Sequence, residues 1–489
     1  MRIAQQRILA VIVGLLVAGC AVGPDYRRPE ATVTMPGAYS GATNEWKVAE
    51  PQAGRPKGNW WEMFGDAELN RLETNAAAAN QQLKAAVAVF DQARALTDVA
   101  KSGLFPHLGI SPSATRQRDS ENRPINGKAA GRKQTFTYND FMVPIDLSYE
   151  ADIWGRVRRS VESARSTLQA DADDVGAVQL AIQAEVATDY FTLRALDAEK
   201  ALLDSSIEVF QKSLELTQNR RTGGIATDLD VAQAETVLRT TEAELPSTML
   251  QRAQFEHALA VLTGHPASTF NIAERPLDVA PPLIPPGLPS ELLERRPDVS
   301  AAERRMAAAN ASIGVAKAAF FPTVQFNGLG GFESLNASTL FNWSSRLWSL
   351  GPSLTMPLFD AGQNGANLRF ARAAYDEAVA NYRQTVLAAF ADVEDNLAAQ
   401  NFLTVQSMAE NAALQAARKQ LEIANNRYRA GLVTYLEVAT AQNTALNIES
   451  TTVQLRGQQL VAAVTLVKSL GGGWQNPMVA AQSRRSASP

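Results

Sequence analysis

The sequence predicts a mainly α-helical, internally duplicated protein that also contributes strands to a membrane β-barrel. Three features indicate this fold class. Two long segments lack proline, one series of motifs occurs twice at a constant spacing, and several short segments alternate between apolar and polar residues. Proline-free sequence rich in alanine and leucine favours helix, whereas period-two alternation favours strand.

The composition excludes some classes of protein. Of the 489 residues, 20% are charged and 46% are hydrophobic, which is ordinary for a folded chain. The net charge is −4, so there is no basic excess of the kind that nucleic-acid-binding proteins carry. A single cysteine rules out an intrachain disulfide.

The N-terminus has the pattern of a bacterial lipoprotein signal. Two arginines precede an apolar run from Ile8 to Val17, which is too short to cross a bilayer as a helix. Val17-Ala18-Gly19-Cys20 then matches a lipobox. We expect residues 1–19 to be removed and Cys20 to carry S-diacylglycerol and N-palmitoyl chains, which together anchor a protein stably. Alanine at position 21 favours the outer membrane. The alternative is an unmodified signal peptide with a chance cysteine.

Proline and glycine divide the mature chain. Residues 20–62 are rich in both and are expected to form an extended N-terminal arm, while residues 265–298 hold eight prolines and link two halves. The first repeat covers 63–264, with a strand pair at about 106–149 and a hairpin at 156–262. The second covers 299–470, with a strand pair at about 322–358 and a hairpin at 363–470. Residues 471–489 are expected to form a flexible tail.

The two halves repeat each other at a constant spacing of 207 residues. The matching pairs are Gly155 and Gly362, Gly224 and Gly431, Thr227 and Thr434, and Leu229 and Leu436. A long internal duplication usually produces a pseudo-symmetric architecture. The alternative is chance similarity between alanine-rich helices.

Each half is expected to contain a very long helical hairpin. No proline occurs from Ile145 to Leu245 or from Leu358 to Asn476. The long helix of each half would measure roughly 100 Å at about 1.5 Å per residue. Apolar positions recur at threes and fours, which marks one buried stripe on each helix. Gly224 and Gly431 are the expected reversal points, because glycine readily adopts the conformation that ends a helix.

The strand-like segments precede the long helices. In one of them, apolar and aromatic residues occupy every second position from Phe141 to Tyr149, and a second series runs from Trp348 to Leu358. Weaker alternation follows Pro106 and Pro322. Alternation over about ten residues is typical of transmembrane barrel strands, although a half-buried soluble strand has the same pattern. Because about eight strands are the minimum for a membrane barrel, four strands require a barrel shared between chains.

Several motifs resemble the outer-membrane factor family of TolC-like channels, in its lipoprotein branch of RND-type multidrug efflux channels. The motifs are Val22-Gly23-Pro24-Asp25-Tyr26 after Cys20, Trp60-Trp61-Glu62-Met63-Phe64, the most specific stretch Leu288-Pro289-Ser290-Glu291-Leu292-Leu293-Glu294-Arg295-Arg296-Pro297-Asp298-Val299, and Arg427-Tyr428-Arg429-Ala430-Gly431-Leu432-Val433-Thr434. The similarity runs from Cys20 to about Gly471, nearly the whole mature chain.

The resemblance implies a homotrimer with a shared 12-stranded barrel in the outer membrane and a periplasmic helical tunnel. Such a channel passes small molecules passively from a periplasmic adaptor and an inner-membrane transporter, here of the RND type, to the exterior. In the family the hairpin tips contact the adaptor, which implicates Gly224, Ile225, Ala226, Gly431, Leu432 and Val433.

The resemblance also implies a closed periplasmic aperture near the tips. The matching residues are Asp230, Tyr428 and Glu437, while a second family aspartate is replaced by Thr440. Threefold symmetry would turn Glu437 into a ring of carboxylates, which favours cations. The structural alternative is that Asp230 and Glu437 interact with the dipole of the helix that begins one turn before them.

Three other functions are weighed against the channel. An enzyme is disfavoured because the three histidines are scattered and no metal spacing, nucleophile elbow or phosphate loop occurs, so neither a catalytic residue nor a cofactor is expected. A coiled-coil adhesive lipoprotein would not need the alternating segments. Within the channel class, a type I secretion duct for polypeptides is the alternative.

Overall fold

The computed structural model describes residues 21–28, 58–120, 137–282, 284 and 295–472. The helices are α1 (Ala67–Ala79), α2 (Gln81–Ser102), α3 (Arg156–Thr222), α4 (Asp228–Leu262), α5 (Pro297–Ala318), α6 (Gln363–Arg429) and α7 (Tyr435–Ser469). The strands are β1 (His107–Ile110), β2 (Ser113–Arg118), β3 (Thr137–Ala151), β4 (Thr323–Ser334) and β5 (Arg346–Thr355). A short 3-10 helix, Trp60–Phe64, precedes α1.

Two long helical hairpins confirm the predicted duplication. Helices α3 and α6 contain 67 residues each, and their partners α4 and α7 contain 35 each. The start and end of every helix in the first hairpin recur 207 residues later in the second. None of the described helices is both long enough and apolar enough to cross a membrane.

The chain divides into two compact units. The first contains the sheet and is built from residues 21–28, Asp91–Ala170 and Glu303–Asn381. The second contains the two hairpin tips and is built from residues 58–90, Asp171–Ala302 and 382–472. The boundaries fall inside α2, α3, α5 and α6.

The sheet of the first unit is antiparallel, in the order β1-β3-β4-β5, and β2 also pairs with β3. Strands β1 and β2 pair with β3 in one continuous register, from His107 opposite Ser148 to Arg118 opposite Thr137. They therefore occupy the place of one predicted strand, interrupted at Pro112, which has no N–H to donate to the ladder. Strand β4 joins the two repeats by pairing with both β3 and β5.

One face of this sheet is apolar over β1 and over most of β3, β4 and β5. Residues directly opposite each other in antiparallel strands share a face. The register aligns Leu108, Leu147, Gly328 and Leu350 in one row and Ile110, Ile145, Gly330 and Trp348 in the next. The other face carries polar rows such as Ser148 with Asn327 and Glu150 with Gln325 and Ser353. We call the first of these the apolar face.

Gly328, near the centre of β4, makes room for its neighbours on the apolar face. A Cβ at Gly328 would lie 3.3 Å from Leu147 Cβ and 3.3 Å from Leu350 Cδ1. The side chains of Leu147 and Leu350 therefore extend over the position of Gly328 and keep the face continuous there.

The core of the second unit includes a buried ionic network around Asp197. Its carboxylate accepts hydrogen bonds from Arg194 Nη1 at 2.8 Å, Arg252 Nε at 2.6 Å and the Arg275 backbone N–H at 3.2 Å. Arg252 also donates to the carbonyl of Ile272 at 2.6 Å. The network thus fixes the segment after α4 against α3.

Candidate functional site at the hairpin tips

The two hairpin tips have the same turn geometry. Gly224 and Gly431 both have φ +73°, the left-handed conformation that glycine adopts without strain. In the first tip the Ile225 N–H donates to the carbonyl of Arg220 at 2.8 Å, and the corresponding bond from Leu432 is 2.9 Å. This is the Schellman arrangement, which satisfies the last carbonyls of each long helix and turns the chain back.

Each tip presents exposed apolar side chains. Ile225 is 70% exposed, and Leu432, its equivalent in the second repeat, is 71% exposed. Leu229 and Leu436 are a second exposed pair one helical turn further on. Large apolar side chains that remain mostly exposed are typical of surfaces that bind other proteins, so this matched set is a candidate protein-binding surface.

Asp230 lies inside the tips, with only 8% of its surface exposed. Its carboxylate accepts hydrogen bonds from the N–H and the hydroxyl of Thr227, both at 2.8 Å, which completes a capping box at the start of α4. The other oxygen accepts the backbone N–H of Tyr435 at 3.0 Å. Asp230 therefore links the first hairpin to the second.

The pKa of Asp230 is held below its usual range. Burial acts to raise it, but the hydrogen bonds from Thr227 and Tyr435, together with the Arg220 guanidinium, outweigh that effect. A carboxylate whose pKa is lower in the folded state than in the unfolded state stabilises the fold at neutral pH. This stabilisation is lost as the pH falls from about 3.9, the ordinary pKa of aspartate, through the lowered pKa of the folded state.

Glu437 is the repeat equivalent of Asp230, but it lies on the surface. Its carboxylate accepts a hydrogen bond from Arg427 Nη1 at 3.1 Å, in an exposed ion pair. Thr434, unlike Thr227, makes no side-chain cap at its helix start. The two repeats thus use one sequence position differently: one acid is a buried link and the other is available at the tip surface.

Tyr428 is buried between the hairpins. Its hydroxyl donates to Thr217 Oγ1 at 3.4 Å, and the Arg220 guanidinium carbon lies 4.7 Å from its ring centroid. Tyr435 packs edge-on against the same ring at 5.4 Å. The sequence interpretation missed Arg220 and Tyr435, although Arg220 could have been found as the repeat equivalent of Arg427.

Substituting Asp230 with alanine is expected to loosen both tips. The substitution removes a capping box and leaves the Tyr435 N–H without its acceptor, for a local loss of about 1–3 kcal/mol. Hydrogen exchange should then accelerate by about tenfold or more at the Tyr435 amide. The control is Asp228→Ala, because Asp228 pairs with Arg221 on the surface. Equal hydrogen-exchange rates at the Tyr435 amide in the two variants would contradict the linking role of Asp230.

The predicted lipidation site, Cys20, lies outside the described residues. The segment that follows it, residues 21–28, belongs to the first unit and contacts the start of α3 and the chain just before it. Val22 N–H donates to the carbonyl of Trp154 at 2.9 Å, and Asp25 pairs with Arg159 at 2.7 Å. This segment therefore lies beside the chain that follows β3. Across the described part of the chain, no cluster of histidine, cysteine, aspartate and glutamate could hold a metal ion.

Comparison with known proteins identifies the family. The family model described as "Outer membrane efflux protein" matches residues 72–265 and 288–472, one match in each repeat. The outer membrane protein OprJ of Pseudomonas aeruginosa is 34% identical over 471 residues, covering 96% of this chain and 96% of OprJ. The toluene efflux pump outer membrane protein TtgC of Pseudomonas putida is 32% identical, covering 95% of this chain and 94% of TtgC.

A solved structure supports the same conclusion. The outer-membrane channel OprN superimposes with a TM-score of 0.84 at 31% identity, over 93% of this chain and 100% of OprN. The agreement covers both repeats in sequence and nearly the whole chain in structure. The chain belongs to the outer membrane efflux protein family.

Proposed function

We propose that this protein is the outer-membrane channel of a tripartite efflux pump, which passively conducts small molecules to the cell exterior. The observation that carries the proposal is the apolar face, which crosses β1, β3, β4 and β5. Within the described residues, each of the two end strands of this sheet, β1 and β5, pairs on one side only. An apolar face opposite a polar one is what a barrel needs between lipid and a water-filled lumen.

The channel forms as a homotrimer. Unpaired strand edges cannot remain open in lipid, because each unpaired N–H or C=O costs several kcal/mol there. Strand β5 at one edge and β1 with β2 at the other therefore pair between neighbouring chains. Four strand positions in each of three chains give a 12-stranded barrel. We also propose that Cys20 carries the lipid anchor, which the intact mass of the purified protein tests.

The hairpin tips bind a periplasmic adaptor, which connects the channel to an inner-membrane transporter of the RND type. The contacting residues are the two turns, Gly224-Ile225-Ala226 and Gly431-Leu432-Val433. Support comes from the exposure of Ile225 and Leu432 and from the repeat symmetry of the turns, which presents two similar surfaces per chain. We assign no catalytic role and no cofactor to the protein.

We place the periplasmic aperture at the tips, with Glu437 as the acid exposed to the pore. Tyr428 and Asp230 support it from within the hairpins by fixing the two tips to each other. The ion pair between Glu437 and Arg427 is a surface contact that can break and re-form as the aperture opens.

Replacing Glu437 with alanine is expected to change conduction. Three carboxylates in a narrow pore attract cations, so their loss lowers the cation-to-anion permeability ratio severalfold and raises the open probability by freeing Arg427. Single-channel recordings in planar bilayers measure both quantities. Glu449→Ala is the matched control, because Glu449 also lies on α7 and also pairs with an arginine, Arg418. Unchanged selectivity and open probability would contradict the placement of the aperture.

The proposed cargo is small molecules rather than polypeptides. The relative TtgC is named for the efflux of toluene, a small apolar compound. A deletion strain should therefore become more susceptible to solvents and antibiotics while its secreted proteins stay unchanged. Loss of a secreted polypeptide without any change in susceptibility would favour the alternative, a type I secretion duct.

A further inference from the structure

The apolar face ends in arginines at one end of the sheet only. Arg116 and Arg118 on β2 lie opposite Asn139 and Thr137 of β3. Asn139 and Thr137 lie on the same face of β3 as Leu147, because they are separated from it by even numbers of residues. The two arginines therefore share the apolar face with Leu108, the partner of Leu147. Arg346 on β5 joins the same face through its pairing with Phe332. All three arginines are exposed. At the opposite end, the corresponding row of Ala151, Val324 and Leu354 is apolar.

At the arginine end of the sheet, residues 335–345 connect β4 to β5. Helices α2, α3, α5 and α6 all connect to the other end of the sheet. If the helices are periplasmic, as the proposed function requires, the arginines lie at the outer leaflet of the outer membrane. The inference therefore rests on the proposed function.

Aromatic side chains lie at the same end of the sheet, and one of them contacts Arg346. The Arg346 guanidinium carbon is 3.8 Å from the centroid of the Trp343 ring, which is 75% exposed. Phe341 is exposed in the same loop. Tryptophan beside arginine at the edge of an apolar band is typical of the headgroup region of a membrane. Within the described residues, neither Arg116 nor Arg346 has a carboxylate partner.

Closure of the barrel would bring the arginines together. Arg346 lies on one edge strand of the sheet, and Arg116 and Arg118 lie on the other. In a closed ring, β5 of one chain pairs with β1 and β2 of the next, and paired strands are about 4.8 Å apart. Each seam between chains would then carry cations from two chains on the lipid side.

We propose that each seam binds the phosphate groups of an anionic glycolipid of the outer leaflet. Guanidinium groups bind phosphate through paired, charge-assisted hydrogen bonds. Leu350 and Trp348, further along the apolar face from Arg346, would contact the acyl chains of the same molecule. The charged group at the outer edge and the apolar surface beneath it match the two parts of a phosphorylated glycolipid.

Native mass spectrometry of the full-length protein, purified in detergent and freed of lipid, tests the proposal with diphosphoryl lipid A as the probe. The variant Arg116→Gln/Arg118→Gln/Arg346→Gln should bind at least about tenfold more weakly than wild type, because each arginine lost removes charged hydrogen bonds. Lipid A without phosphates should bind wild type equally weakly. The matched control, Lys212→Gln/Arg239→Gln/Lys419→Gln, removes three exposed cations from helices and should bind as wild type does.

The inference would be overturned if wild type and the triple arginine variant bound lipid A equally, or if wild type bound lipid A equally with and without its phosphates. Complete displacement of lipid A by excess inorganic phosphate would also overturn it, because that result would indicate a site for a free anion. The oligomeric mass in the same spectra shows whether each variant is assembled. Single-channel conductance separates the two claims. A conducting channel that does not bind lipid A overturns only this inference, whereas a wild type that does not conduct contradicts the proposed function.

Discussion

Replacing Leu350 with arginine is expected to keep the protein out of the outer membrane. Leu350 is 72% exposed and lies in a row of the apolar face that crosses β1, β3, β4 and β5. An arginine on the lipid side near the middle of a bilayer costs about 2–4 kcal/mol, and a trimer would carry this cost three times. Membrane fractionation followed by immunoblotting should therefore find the variant largely absent from the outer-membrane fraction.

Ser349→Arg provides the control for this experiment. Ser349 precedes Leu350 on β5, and its partner in the register, Leu329, lies on the opposite face from Gly328. An arginine there would face the lumen, where water solvates it, so insertion should remain normal. Equal amounts of both variants in the outer membrane would show that the apolar face does not contact lipid.

Replacing Asp197 with alanine is expected to destabilise the second unit more than any surface change. The substitution leaves Arg194, whose side chain is almost completely buried, without its carboxylate partner, and it leaves Arg252 paired only with Glu256. Removing one member of a buried ion pair costs about 3–5 kcal/mol, because the remaining charge stays desolvated. Thermal unfolding of the purified protein in detergent measures the change as a fall in Tm.

Asp204→Ala serves as the matched substitution. Asp204 lies on the same helix and pairs with Lys200 at 3.1 Å, but its carboxylate is half exposed. Surface ion pairs contribute at most about 1 kcal/mol, so this variant should melt close to wild type. If both variants melted together, the network around Asp197 would have no special role in stability.

The helical part of the fold was largely predictable because its signals are local. The absence of proline sets the length of α3 and α6, and Gly224 and Gly431 adopt the left-handed conformation expected of helix-ending glycines. The duplication was predictable to the residue, since the first and last residues of the hairpin helices repeat at the same spacing of 207 residues as the sequence motifs.

The sheet was less predictable because pairing depends on contacts between distant segments. Alternation marked β3 and β5 clearly, but it could not show that β4 lies between them. Strand β4 itself has a weak pattern, because Gly328 and Gly330 occupy positions on the apolar face where its neighbours carry large side chains. The break between β1 and β2 at Pro112 arises because proline has no N–H to donate to the strand pairing, and the alternation of apolar residues does not report this.

The candidate site shows a second limit of sequence reasoning. Asp230 and Glu437 occupy equivalent positions, and the sequence treats them alike. Their different placement depends on Thr227, which caps its helix through its side chain, and on the backbone of Tyr435, which reaches Asp230 from the other hairpin. Such a contact joins residues about half the chain apart, so no local pattern reports it.

The mass of the purified protein in detergent tests the shared barrel most directly. The proposed homotrimer predicts a particle of three chains, in which the two sheet edges that are unpaired within the described residues pair with neighbouring chains. The same sample should form ion-conducting channels in planar bilayers. A monomer that conducts ions would contradict the claim that the barrel is shared between chains.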